Sequence, residues 1–166
     1  MPALKPTRRE LCLADLQALT DVVRTPGEPF AIFQAIEKLT AEVIGHRLFT
    51  IMRFDAARFE VERVYTSDPA VYPLGGRKRK ERTAWGEHVL TSMRAFRANK
   101  PKEIRAAFDD HATLAMLGIG AILNIPIALQ GRCLGTMNLC HEAGWFTPHD
   151  EQAGLLLAAF ALPALL

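Results

Sequence analysis

Residues 118–146 read GIGAILNIPIALQGRCLGTMNLCHEAGWF, and the fold is decided there. Ala121 to Leu129 is a short apolar run rich in Ile and Leu, Gln130-Gly131 is a turn dipeptide, and Arg132 to His141 resumes the apolar pattern. The segment therefore predicts a β-hairpin. Side chains alternate across a strand, so Ala121, Leu123, Ile125, Ile127 and Leu129 share one wholly apolar face suited to covering helices. Ile122, Asn124, Pro126 and Ala128 share the other. That second face carries Asn124, whose amide needs a hydrogen-bond partner once buried. Pro126 has no N–H for a ladder and belongs at an edge, a bulge or a point where the partner strand has ended.

Upstream of the hairpin, Leu11 to Val23 places Leu13, Leu16, Leu19, Val22 and Val23 at helical spacing, stopped by Thr25-Pro26-Gly27. A second helix fits Pro29 to Ile44, with Gly45 as its C-terminal cap. Leu48 to Phe54 and Phe59 to Thr66 read as strands joined through a turn at Asp55 to Arg58. Ser67 to Arg82 is polar, bears Pro and Gly, and reads as a loop. Trp85 to Phe96 regains helical spacing behind a Thr83 cap, Lys102 to Ala106 reads as a short strand, and Asp109 is placed to cap a helix reaching Leu117. Downstream, Thr147-Pro148-His149-Asp150 opens a last helix with a cap, Pro at the first helical position and an acid in the first turn. Helices at both chain ends flanking antiparallel strands describe an α+β architecture with helices on one sheet face. Residues 1–27 divide off as an N-terminal helix and linker, and 28–166 as the sheet-bearing domain.

Length and composition fit one domain with a sizeable core: 166 residues, 49% hydrophobic and 23% charged. A net charge of +2 gives no global field toward nucleic acid or a membrane surface. The start, MPALKPTRRE, lacks the apolar core of a secretory signal, and the fourteen-residue apolar run Ala153 to Leu166 contains Pro163 and falls short of the roughly 20 residues that span a bilayer. A cytoplasmic location is the expectation. Three cysteines without regular spacing give no disulfide framework. Cys133 and Cys140, seven positions apart in one regular strand, are predicted to face opposite sides about 23 Å apart, too far to bridge.

Two local patterns carry a resemblance. One is Asn124-Ile125-Pro126-Ile127 followed by Gly131 and Leu134-Gly135-Thr136-Met137-Asn138-Leu139; the other is Trp145-Phe146-Thr147 leading to Asp150-Glu151 and a final apolar helix. With the element order, these make residues 29–166 resemble a GAF domain. The resemblance implies a central antiparallel sheet with the N- and C-terminal helices on one face and a helix-and-loop insertion on the other. It also implies a sensory, small-molecule-binding role, with the ligand seated between the sheet and the insertion. Ligands across the family include cyclic nucleotides, tetrapyrroles, amino acids and haem, and for some members none is known.

The candidate ligand-binding residues in that position are Tyr72, Trp85, His88, Arg105, Asp110, His111, Asn124 and Asn138. Trp85 and His88 are three apart, so one helical face can present both; the competing reading puts Trp85 in the core and His88 on the surface. Asp109 and Asp110 read as helix-capping acids before catalysts, and Asn124 reads equally as a ligand contact or as hydrogen-bonded to a neighbouring loop backbone. Arg77, Lys78, Arg79 and Lys80 belong to a run with five basic residues in six positions, which is either a solvated loop or a lid that orders when an anion enters. Covalent bilin attachment is not expected, because residues 67–117 contain no cysteine, and the cyclic-nucleotide signature of phosphodiesterase GAF domains is not recognisable. The cofactor stays unidentified. His46, His88, His111, His141 and His149 form no metal-binding pattern, although His141, His149 and Asp150 are near enough in sequence to converge.

The chain thus reads as a stand-alone, non-enzymatic sensory module. Two alternatives stand beside this: a small cysteine-dependent enzyme resembling GAF-type methionine sulfoxide reductases, acting through Cys133 or Cys140, and a dimerisation module with a collapsed pocket. The last helix distributes Leu155, Leu156, Leu157, Phe160, Leu162, Leu165 and Leu166 all round, more than one domain face covers, so a homodimer through the terminal helices is predicted.

Overall fold

The hairpin predicted at 121–141 is the centre of a sheet that reaches three strands beyond it on one side and one on the other. A computed structural model describes residues 8–166, so the first seven residues of the N-terminal segment and of the signal-peptide reading lie outside the described residues. The elements are α1 (Leu13–Arg24), α2 (Pro29–Val43), β1 (Leu48–Asp55), β2 (Glu60–Thr66), β3 (Arg77–Arg79), α3 (Ala84–Gly86, continuing as a π-helical turn over Glu87–Thr91), β4 (Phe96–Ala98), α4 (Pro101–Ala107), α5 (His111–Met116), β5 (Ala121–Leu129), β6 (Arg132–His141), α6 (Pro148–Ala159) and α7 (Leu162–Leu165). The strands form one antiparallel sheet in the order β3-β2-β1-β6-β5-β4.

The two faces of β5 divide the molecule as its alternation requires. Leu123, Ile125 and Ile127 join Met137 and Leu139 of β6 in the main core, against Phe33, Ile36, Leu39 and Val43 of α2, Leu157 of α6 and Leu165 of α7. Leu129, at the hairpin end, is instead exposed. On the opposite face, Ile122, Cys140 and Leu48 pack under Ile104 of α4 and Leu114 of α5. Val61 packs with Trp85, Val89 and Leu90. Gln130 and Gly131 both take positive φ, 48° and 76°, as a two-residue hairpin turn needs, and glycine tolerates this without steric cost. Pro126 pairs with Thr136 of β6 on one side. On its other side β4 pairs no further than Asn124, so the missing N–H faces a partner strand that has ended.

Several expectations are corrected. Residues 67–82 are not all loop: Arg77 and Arg79 lie opposite Glu62 and Glu60, and this alternation of opposite charges across the pair draws the basic run into β3. The helix expected over Trp85 to Phe96 stops after the turn ending at Thr91, and Phe96 begins β4. Residues 102–106 are helical, not extended, because Pro101 occupies the first helical position and Glu103 accepts hydrogen bonds from the backbone N–H groups of Asn99 and Lys100. Asp110, not Asp109, precedes α5. The final apolar run is two helices, broken at Phe160-Ala161. A bulge opposite Ile127/Ala128 adds one residue to β6, so Ala128 pairs with Cys133 and Cys133 turns to the same face as Cys140. All three cysteines are free.

Thr147 caps α6 as predicted. Its hydroxyl accepts from the Asp150 N–H while the Asp150 carboxylate accepts from the Thr147 N–H at 2.7 Å. Arg8 donates from Nη1 to both carboxylate oxygens of Asp150, at 2.9 and 2.7 Å, and from Nη2 to the Trp145 carbonyl at 2.7 Å, and its guanidinium lies 4.3 Å from the centre of the Trp145 ring. Trp145 itself donates from Nε1 to the Ile44 carbonyl at 2.9 Å. The Trp145 to Glu151 pattern therefore joins the chain ends structurally. His141 stacks parallel on Trp145 with ring centres 3.5 Å apart, whereas His149 faces Glu10 at 3.2 Å, so these histidines do not converge.

Candidate functional site

Between the front of the sheet and the 67–117 insertion lies a cavity of about 80 Å³. Its floor is Leu48, Thr50 and Met52 of β1, Arg63 of β2, Ile122 and Asn124 of β5, and Asn138 and Cys140 of β6; its walls are Tyr72, Lys78, Lys80, Trp85, Phe108, Asp110 and Leu114. Strand register explains the polar part of the floor. Asn124 lies opposite Asn138, and Asn138 opposite Thr50, so the three side chains stand abreast across the central strands. They form a ladder: Trp85 Nε1 donates to Asn124 Oδ1 at 2.9 Å, Asn124 Nδ2 to Asn138 Oδ1 at 2.8 Å, and Asn138 Nδ2 to Thr50 Oγ1 at 3.2 Å. Both buried amides are thereby satisfied and oriented, and Trp85 is fixed as a wall.

Charge is concentrated at the rim by β3. Alternation sends Lys78 to the cavity side, opposite Val61, while Arg77 and Arg79 turn away to Glu60, Glu62 and Glu81. Lys78 reaches the Asp110 carboxylate at 3.6 Å, and the Tyr72 hydroxyl donates to the same carboxylate at 2.9 Å. Burial, with Asp110 nearby, holds the Tyr72 phenol well above its ordinary pKa. Lys80 lies over the rings of Trp85 and Phe108, at 5.0 and 6.0 Å. Burial lowers its pKa, and the neighbouring Lys78 lowers it further.

Arg63 is the unusual member. Only 7% of it is exposed, its Nη1 donates to the Pro73 carbonyl at 2.9 Å, and its guanidinium lies 5.0 Å from the centre of the Tyr72 ring. Its Nε is buried without a hydrogen-bond partner among the described residues. The charged rim and floor groups are three cations, Arg63, Lys78 and Lys80, and one carboxylate, Asp110.

The cavity thus gathers Tyr72, Lys78, Lys80, Trp85, Asp110, Asn124 and Asn138 from the candidates drawn from the sequence. The others sit elsewhere. His88 is turned to the Ala95 carbonyl, 2.8 Å from its Nε2; Arg105 is exposed on α4; His111 opens α5 outside the lining; and Arg77 and Arg79 are on the far side of β3. Arg63 was missed by sequence reasoning. Its signal was parity with Val61 along an alternating strand, which puts it on the packed face.

The thiols bear on chemistry. Burial pushes Cys140 up to about 12 and raises Cys133 as well, so neither is a thiolate at neutral pH. Among the described residues, no three His, Cys, Asp or Glu side chains are placed to share a metal ion, and no helix is long and apolar enough to cross a membrane.

The GAF domain family profile matches residues 28–164. Among solved structures, the chain is similar to the GAF domain of a phosphoenolpyruvate-protein phosphotransferase from Coxiella burnetii, at 18% identity and a TM-score of 0.74, covering 90% of each chain. It is also similar to the corresponding domain from Acinetobacter, at 10% identity and 0.73, covering 92% of this chain and 91% of that one. A phycocyanobilin-bound GAF domain from a cyanobacterial phytochrome matches at 15% identity and 0.69, covering 92% of each. No curated protein sequence matches the chain.

Proposed function

The chain belongs to the GAF domain family, and from that premise we propose that it is a small-molecule-binding sensory module whose ligand enters the front cavity. The observation that carries this reading is the floor of that cavity. A buried, fully oriented Trp85-Asn124-Asn138-Thr50 ladder lies beside apolar walls and a rim of charged groups, which is the composition of a binding site. The similar phytochrome domain is bound to phycocyanobilin; this cavity, at about 80 Å³, suits a far smaller guest. Catalysis by Cys133 or Cys140 is disfavoured by their raised pKa values, so the module signals by occupancy.

A thermal-shift panel of small metabolites tests the reading. A compound at 100 times its dissociation constant adds about 2.7 kcal/mol, and the gain should vanish when Ile122→Phe fills the cavity. Stabilisation that survives Ile122→Phe would place the ligand elsewhere.

A second copy of the chain is the partner this reading includes. Leu155 and Leu156 of α6 and the terminal Leu166 are 48%, 54% and 83% exposed, and Leu13 of α1 is 80% exposed, so both terminal helices present apolar side chains outward. Their coverage in a homodimer is also the route by which occupancy would reach another protein.

A further inference from the structure

A buried guanidinium is costly unless its donors and charge are met. Arg63 meets one acceptor, the Pro73 carbonyl through Nη1, and no carboxylate lies within 4.0 Å of it among the described residues. Its Nε–Nη2 edge is thus the unused one: Nε is buried and unpartnered, and Nη2 donates to no described residue. That edge has the spacing of the two oxygens of a carboxylate. The guanidinium is also held in place. Tyr72 stacks against it, and Gly76 packs so closely that a Cβ there would stand 2.7 Å from Nη1.

The neighbouring charges favour an anion too. Asp110, the one carboxylate of the lining, is engaged by Lys78 and Tyr72; Arg63 and Lys80 feel its field but form no ion pair with it, so the cations at the cavity outnumber the carboxylate. The same lining includes the apolar Leu48, Met52, Leu114 and Ile122, side chains with which an inorganic anion makes no favourable contact.

We propose that the cavity binds a short-chain organic carboxylate, its carboxylate taken by the Arg63 Nε–Nη2 edge with Lys80 alongside and its apolar body against Leu48, Leu114 and Ile122. The inference rests on the reading of the front cavity as a ligand site and assigns its ligand class. The cavity is small, about 80 Å³, which favours an acid of about four carbons in all, such as butyrate, over a long chain. Lys80, with its lowered pKa, gains charge-stabilising company when the anion arrives.

The test compares acetate, butyrate, butyramide and inorganic phosphate at constant ionic strength, by thermal shift and by the Arg63 Nε–H resonance in the intact protein. Butyrate should stabilise most and move that resonance. Arg63→Lys should weaken butyrate binding about ten- to a hundredfold, the equivalent of losing a forked, charge-assisted pair. Butyramide matching butyrate would overturn the carboxylate assignment while leaving the ligand site intact. Phosphate outperforming butyrate would overturn it in favour of a tetrahedral anion. If no probe binds and the resonance stays still, the assignment fails, and the sensory reading is then decided separately by whatever compound stabilises the protein in an Ile122-dependent way. The wild-type comparison of butyrate with butyramide decides the matter even if Arg63→Lys does not fold.

Discussion

Asn138 shows how one residue binds the site to the fold. It accepts from Asn124 and donates to Thr50, so Asn138→Ala strands the Asn124 amide and loosens Trp85 two steps away. We expect a loss of about 1–3 kcal/mol in urea unfolding, because a buried donor is left without an acceptor. Unchanged stability would mean the ladder is not closed in solution. His141 sets a pH dependence. Burial, aided by Arg47 and Arg8, lowers it from 6.5 to about 4, while Glu142 opposes. The unfolded chain therefore holds a proton between about pH 4 and 6.5 that the folded protein refuses. His46, also lowered by burial, acts in the same direction. Stability should be full above pH 6.5 and decline as pH falls toward 4, and His141→Gln should flatten part of that decline in pH-resolved thermal melts. At this scale the sequence disclosed Asn124, since an amide on an apolar strand demands a partner. It hid Arg63, because an arginine among the charges of Glu-Val-Glu-Arg-Val reads as solvent-facing until the insertion folds over it.

Elements were legible where their signals are local. The hairpin followed from alternation around Gln130-Gly131, and α6 from its capping box. Thr147→Ala removes the hydroxyl that accepts from Asp150 N–H, and should cost about 0.5–2 kcal/mol in denaturant unfolding. No change would mean that Asp150, held by Arg8, suffices alone. Elements were illegible where the cause is distant. β3 exists because Glu60 and Glu62 lie opposite Arg79 and Arg77, a pairing between segments that the linear run of basic residues does not reveal. The Cys133 side change depends on a bulge, which shifts parity for every residue before it on β6. The helix α4 had a readable signal in Pro101 and Glu103, but its single buried apolar residue, Ile104, gives almost no periodicity.

For the whole molecule, the sheet separates two tasks. Its back face is filled by α2, α6 and α7 and holds the fold together; its front face is covered more thinly by the insertion and keeps the cavity. The helices that fill the back also carry the exposed leucines. Light scattering at micromolar concentration should therefore give about twice the 18.4 kDa chain mass, and Leu155→Glu with Leu156→Glu should return it to one chain. A single-chain mass for the unaltered protein would refute the homodimer. Whether the front cavity accepts a guest is met head-on by native mass spectrometry of freshly purified protein. A small adduct should ride on the wild-type chain and be lost in Ile122→Phe while far-UV circular dichroism stays unchanged. An adduct that persists in Ile122→Phe, or a wild-type chain that never carries one in the presence of any compound that stabilises it, would rule out the front cavity as the ligand's seat.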